Sequence, residues 1–206
     1  IIQPEKAGLA GITGMVMRSG GSLTMAGDKV DEELEKIAAS VETGISSLEG
    51  SASLSTLKEH FDQVLGIYND ILRNPAFPPE KIELAKIEYK SGISRRNDQV
   101  GQIAMREYQQ LIYGADSPYA RDEEYATIDA ITRDDLIAFH KQYVQPKGMV
   151  IAVWGDFKTA EMQKKLRKTF ESWKGTSAPL PKAPQVEYAF RKTVNLVARP
   201  DVNQSN

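Results

Sequence analysis

The sequence has no cysteine and only two histidines among its 206 residues. Without cysteine there are no disulfides, thiolate zinc sites or cysteine nucleophiles. The compartment stays open, because oxidising compartments also hold cysteine-free proteins. Charge of either sign is not in excess: the formal net charge is -2. That balance gives no reason to expect nucleic acid or an anionic membrane surface as partner. Long apolar runs are missing too, with nothing near the roughly 18 residues that a membrane-spanning helix requires. Ile1-Ile2-Gln3-Pro4 lacks a basic segment followed by an apolar one and does not read as a signal peptide. Both termini read as cuts within a longer chain.

What is present is an ordinary globular composition, 41% apolar and 26% charged. At this length one substantial core can form. Residues 8–17 read as a helix rich in small residues, Gly8, Ala10, Gly11 and Gly14. Glycine costs a helix about 1 kcal/mol relative to alanine, so this helix requires tertiary packing to persist. Ser19-Gly20-Gly21 reads as a break, and Asp28 as the cap of an amphipathic helix over 29–39. From Val41 to Leu57 the period falls to two, predicting two antiparallel strands around a turn at Leu48–Ser51. Helices follow over 60–73, 79–96 and 99–113, then a helical turn at 127–130 and a helix over 133–143 capped by Thr132. The run Met149-Val150-Ile151-Ala152-Val153-Trp154 reads as a central strand, 158–172 as a helix, 176–184 as an extended linker, and Val186–Val197 as strand. The fold class is therefore α+β: a two-layer domain with a mainly antiparallel sheet packed by helices. Residues 1–175 form the domain, and 176–206 a linker and the start of another.

The chemistry-bearing residues are sparse. A helical zinc site needs two imidazoles at i and i+4 facing one ion, and His60 and His140 lie 80 residues apart. They read as a helix N-terminal histidine and a solvent-edge histidine. Glu80, Glu83, Glu88 and Asp122-Glu123-Glu124 read as solvated helix faces or loop. The serines between 40 and 55 form no nucleophile elbow and read as an exposed strand face. Neither Gly20-Gly21 nor Gly11-Ile12-Thr13-Gly14 has phosphate-loop spacing. The residues alone give an α+β domain with no self-contained catalytic site.

Several segments in order resemble the N-terminal half of an insulinase/pitrilysin-type metallopeptidase, an M16-like family of inverted zinc-motif enzymes. Glu5-Lys6-Ala7-Gly8-Leu9-Ala10 is similar to the segment leading into that family's zinc helix. Leu72-Arg73-Asn74-Pro75-Ala76-Phe77-Pro78-Pro79-Glu80 resembles its helix–Asn-Pro-x-Phe–helix connection. Ser117-Pro118-Tyr119-Ala120, Ile128–Tyr143 and Val150–Phe157 are similar to later landmarks, and Arg199–Ser205 to the opening of the second half. The resemblance implies a metallopeptidase half-domain of the kind found in mitochondrial processing peptidase and LuxS. Where the family places His-x-x-Glu-His, this sequence has Gly11-Ile12-Thr13-Gly14-Met15. Both imidazoles and the water-activating glutamate are replaced by groups that neither bind zinc nor take a proton. Glu83 is the best match for the third ligand, and one carboxylate does not hold zinc.

The resemblance thus implies a non-catalytic family member with no catalytic residue, no metal ligand and no cofactor of its own, zinc belonging to active members. Its expected partners are peptide or unfolded polypeptide, a second half-domain, and an active peptidase subunit or a second copy. Nucleic acid and a membrane span are not expected. Val41, Glu42, Thr43, Gly44 and Ile45 match the edge strand that the family presents to substrate. Two other readings stay open: a structural assembly domain like respiratory-complex core subunits, and part of an active metalloendopeptidase whose zinc lies in a partner chain. A periplasmic or cell-envelope location is implied over a cytoplasmic one.

Overall fold

The computed structural model describes residues 4–46, 48–175, 182, 185, 192 and 194–197. Its helices are α1 (Leu9–Gly20), α2 (Gly27–Glu35), α3 (Phe61–Arg73), α4 (Pro79–Arg95), α5 (Val100–Tyr113), α6 (Tyr125–Asp129), α7 (Arg133–Tyr143) and α8 (Thr159–Phe170). Two strands, β1 (Ser40–Ile45) and β2 (Gly50–Ser55), lie between α2 and α3 in sequence. The fold is α+β, with helices packed on an antiparallel hairpin. Two compact units are formed: Leu9–Ala85 with Thr132–Leu180, and Ile1–Gly8 with Lys86–Ile131 and Pro181–Asn206.

In the first unit α1 is the central element. Ile12 and Val16 are fully buried, and Thr13 is buried with its hydroxyl donating back to the Leu9 carbonyl at 2.7 Å. A helix buried around most of its circumference needs small residues wherever neighbours come close, which accounts for its glycines. β1 pairs antiparallel with β2 in the register Val41↔Leu54 and Thr43↔Ala52. The hairpin is closed by Ser46 N–H donating to the Glu49 carbonyl at 2.8 Å. Alternation decides which side packs: Val41 is fully buried, while Ser40 and Glu42 are exposed.

The Asn74–Pro78 connection is clamped from two sides. Leu23 N–H donates to the Asn74 carbonyl at 2.8 Å and Ala76 N–H to the Gly21 carbonyl at 3.1 Å. Phe77 is buried with φ +48, a backbone that side chains rarely adopt. Arg133 holds it there, Nε donating to the Phe77 carbonyl at 2.8 Å and Nη2 to that of Ala76 at 3.0 Å. Thr132 caps α7, as its sequence predicts, and Asp135 closes a capping box with it.

Four expectations are corrected. α1 continues through Ser19 and Gly20, and the break falls at Gly21, whose φ is +72. α2 is entered from Ala26, not capped by Asp28. Its start is set by close contact instead, since a Cβ on Gly27 would lie 1.8 Å from the Ser19 carbonyl oxygen. His140 is buried, not at a solvent edge: its Nε2–H donates to the Leu72 carbonyl at 2.8 Å, and its ring meets Phe77 edge-on at 5.9 Å. Residues 149–154 form no strand, because no strand among the described residues pairs with them. Val150 and Trp154 are 91% and 86% exposed. The expected linker falls mostly outside the described residues, as does most of the late strand; residues 192 and 194–197 have no regular structure.

In the second unit α5 ends at Gly114, as its sequence predicts, with φ +83. Arg96 donates to the Glu123 carbonyl at 2.9 Å and pairs with Glu124 at 2.7 Å. Gln110 donates to Asp122 at 2.9 Å. Glu123 and Glu124 stay exposed, as their sequence predicts, with the Glu124 carboxylate paired to Arg96.

Candidate functional site

The five residues that replace a zinc motif sit in the middle of α1. Ile12, Thr13 and Gly14 are buried, while Gly11 and Met15 are half-buried one turn apart. Position 14 is where β1 comes closest. A Cβ built on Gly14 would lie 2.5 Å from Ile45 N, 2.9 Å from Gly44 C and 3.0 Å from Gly44 Cα. Real Cβ atoms essentially never approach heavy atoms that closely, and all three atoms belong to backbone. The two elements are also tied by a hydrogen bond, Thr43 Oγ1 donating to the Gly14 carbonyl at 2.6 Å.

One turn further along α1, Arg18 reaches the other end of β1. Its Nε donates to the Val41 carbonyl at 2.5 Å and its Nη2 pairs with Asp31 at 2.6 Å. β1 is therefore fixed to one helix at two points, residues 41 and 43–45. Among the described residues the sheet has two strands, so β1 has β2 on one edge and no strand on the other. Val41, Glu42, Thr43, Gly44 and Ile45 all lie within it. Arg18 did not stand out in the sequence. Its only signal is its spacing, one turn after Gly14 on the same helix.

The histidines do not assemble into a site. His60 precedes α3 with its Nε2 3.6 Å from Glu59, whereas His140 is committed to Leu72 and Phe77. Burial lowers the His140 pKa below its ordinary value of 6.5, with the Leu72 carbonyl opposing. It is a neutral core histidine. Among the described residues no three His, Cys, Asp or Glu side chains group so as to hold a metal.

A cleft of about 450 Å³ between α2 and α3 has Met25, Val30 and Ile67 among its lining, with Glu33, Asp62 and Asp70. Those carboxylates are engaged. Glu33 pairs with Lys29 and Lys36, Asp62 with Lys165, and Asp70 accepts from Thr24 at 2.5 Å and Asn74 at 2.8 Å. Although burial opposes it, hydrogen bonds from Ser22, Thr24 and Asn74 hold Asp70 below the usual aspartate range. Held low in this way, Asp70 keeps its proton off and is a poor general acid.

The zinc that the family resemblance implies for active members does not fit these residues. Positions 11, 14 and 15 offer no imidazole or carboxylate, and position 14 has no room for a side chain.

Comparison with known proteins agrees with this frame. The model of the insulinase family, peptidase family M16, matches residues 3–111. A second model, described as the peptidase M16 inactive domain, matches residues 130–206. Comparison with curated proteins yields no match. Among solved structures the chain is similar to a peptidase M16 inactive domain from Pseudomonas fluorescens, with TM-score 0.79 and 22% identity over 88% of this chain and 44% of that one. It is also similar to the periplasmic protease PqqL from Escherichia coli, with TM-score 0.74 and 16% identity over 90% of this chain and 21% of that one. A third is the ferredoxin protease FusC in complex with Arabidopsis ferredoxin, with TM-score 0.67 and 13% identity over 88% of this chain and 20% of that one. The chain spans less than half the length of each of these. At such identities the likeness concerns the fold, and it is the family-model match across more than half of the sequence that assigns it: the chain belongs to the insulinase family, peptidase family M16.

Proposed function

We propose that this chain is a non-catalytic peptidase-family domain that binds extended polypeptide along the open edge of β1. The observation that carries the reading is the fixing of β1 by α1 at Gly14 and Arg18 while, among the described residues, no strand pairs with one of its edges. An edge held rigid before the ligand arrives adds a strand at little entropic cost, and its backbone groups supply affinity without a catalytic residue. The absence of a ligand set at residues 11–15 supports binding without hydrolysis. The ferredoxin-bound state of FusC supports a polypeptide as the class of ligand. Pairing with a second half-domain, and with an active peptidase subunit or a second copy, belongs to the same proposal. A periplasmic or envelope location follows the Escherichia coli neighbour. No helix among the described residues is long and apolar enough to cross a membrane.

The test leaves the protein intact. A labelled, unstructured peptide is titrated into the chain, and two further peptides of identical sequence carry N-methyl groups, one on the odd-numbered and one on the even-numbered amides. Strand addition requires that methylation weaken binding at least tenfold in one of the two alternations and little in the other. Equal binding of all three peptides contradicts the reading. So does unchanged binding by a chain carrying Thr43→Pro that still folds.

A further inference from the structure

The family match implies zinc at residues 11–15, and the residues present do not hold it; the packing at Gly14 carries the disagreement further. We infer that the position of the water-activating glutamate is closed by backbone packing and not only stripped of its side chain, so that restoring all three motif side chains displaces β1 and does not rebuild the zinc site. Residue 14 of α1 carries either a side chain or the close contact with β1, not both.

Three features support this. The atoms that a Gly14 Cβ would strike are Ile45 N, Gly44 C and Gly44 Cα, at 2.5–3.0 Å. They are main-chain atoms of a hydrogen-bonded strand and not the yielding tip of a side chain. The contact cannot relax by a simple rise of β1, because the Thr43 hydroxyl is bonded to the Gly14 carbonyl and the Val41 carbonyl to Arg18. Neither can α1 recede, because Ile12, Val16 and Val41 are all fully buried around the contact. A glutamate at 14 would therefore displace the strand that positions the proposed binding edge.

Helix propensity makes the inference sharp. In an open helix Gly→Ala is stabilising, so destabilisation at residue 14 reports the contact alone. Gly66 of α3 is the matched control: nothing lies within 4 Å of a Cβ built there. We expect Gly14→Ala to lower the melting temperature by about 4–10 °C and Gly66→Ala to leave it equal or higher. Amide exchange in Gly14→Ala should quicken in residues 41–45. The variant Gly11→His/Gly14→Glu/Met15→His should take up no stoichiometric zinc, by mass spectrometry under native conditions. One zinc per chain in that variant, with wild-type exchange in β1, overturns the inference. So does a melting temperature for Gly14→Ala equal to or above that of the native chain. Should the triple variant fail to fold, the two alanine variants decide by themselves. None of these readouts involves peptide binding, so the inference and the proposed function fail separately.

Discussion

Gly14 and Gly66 are both interior helical glycines of one compact unit, and a methyl group has opposite consequences at the two. At Gly14 it meets the backbone of β1 at 2.5 Å; at Gly66 it meets open space. The first glycine is required by the fold, and the second is a removable weakness of α3. The same contrast separates larger regions. Where α1 meets β1, buried residues are tied by side chain-to-backbone bonds. Residues 149–154 are a continuous apolar run, yet no strand among the described residues pairs with them, and Val150 and Trp154 are exposed. Apolar composition alone does not create a core; a neighbour at the right distance does.

Gly14→Glu should break the comparison most severely. It forces both volume and a buried charge into the α1–β1 contact and should cost about 4 kcal/mol or more, read by chemical denaturation. His140→Ala should follow at about 3 kcal/mol, from the lost hydrogen bond to Leu72 and the cavity beside Phe77. The same residue predicts a pH dependence. Its folded pKa is lowered, so between that value and 6.5 the unfolded chain binds more protons. The contribution is complete above about pH 6.5 and is lost as pH falls towards the folded value. Denaturation midpoints measured from pH 7.5 to 5 should show this slope, and His140→Gln should flatten it.

Arg133→Met should cost about 2 kcal/mol by releasing the carbonyls of Ala76 and Phe77 and so the left-handed turn they fix. Thr132→Ala should cost about 1 kcal/mol by removing the α7 cap. Gly66→Ala should reverse the sign and stabilise by about 0.5–1 kcal/mol. Thermal unfolding orders this series, and a destabilised Gly66→Ala would remove the contrast with Gly14.

Most of the element order was legible because local signals agreed with the fold. Thr132 marked the start of α7, and alternation from Val41 marked the hairpin. The failures share a physical cause. The true end of α1, the entry to α2 and the burial of His140 are set by contacts between distant segments: Gly27 on Ser19, and His140 on Leu72. The blank at residues 11–15 could be read from side-chain identity. That position 14 also lacks space could not, because a sequence names the missing glutamate but not the strand standing in its place.

Zinc titration of the native chain tests most directly whether it carries an intrinsic metal site. Calorimetry with the chelator-treated protein should show no stoichiometric site at micromolar or tighter affinity, and thermal unfolding should not shift with added zinc. One zinc per chain at that affinity, with a matching rise in melting temperature, would contradict this expectation.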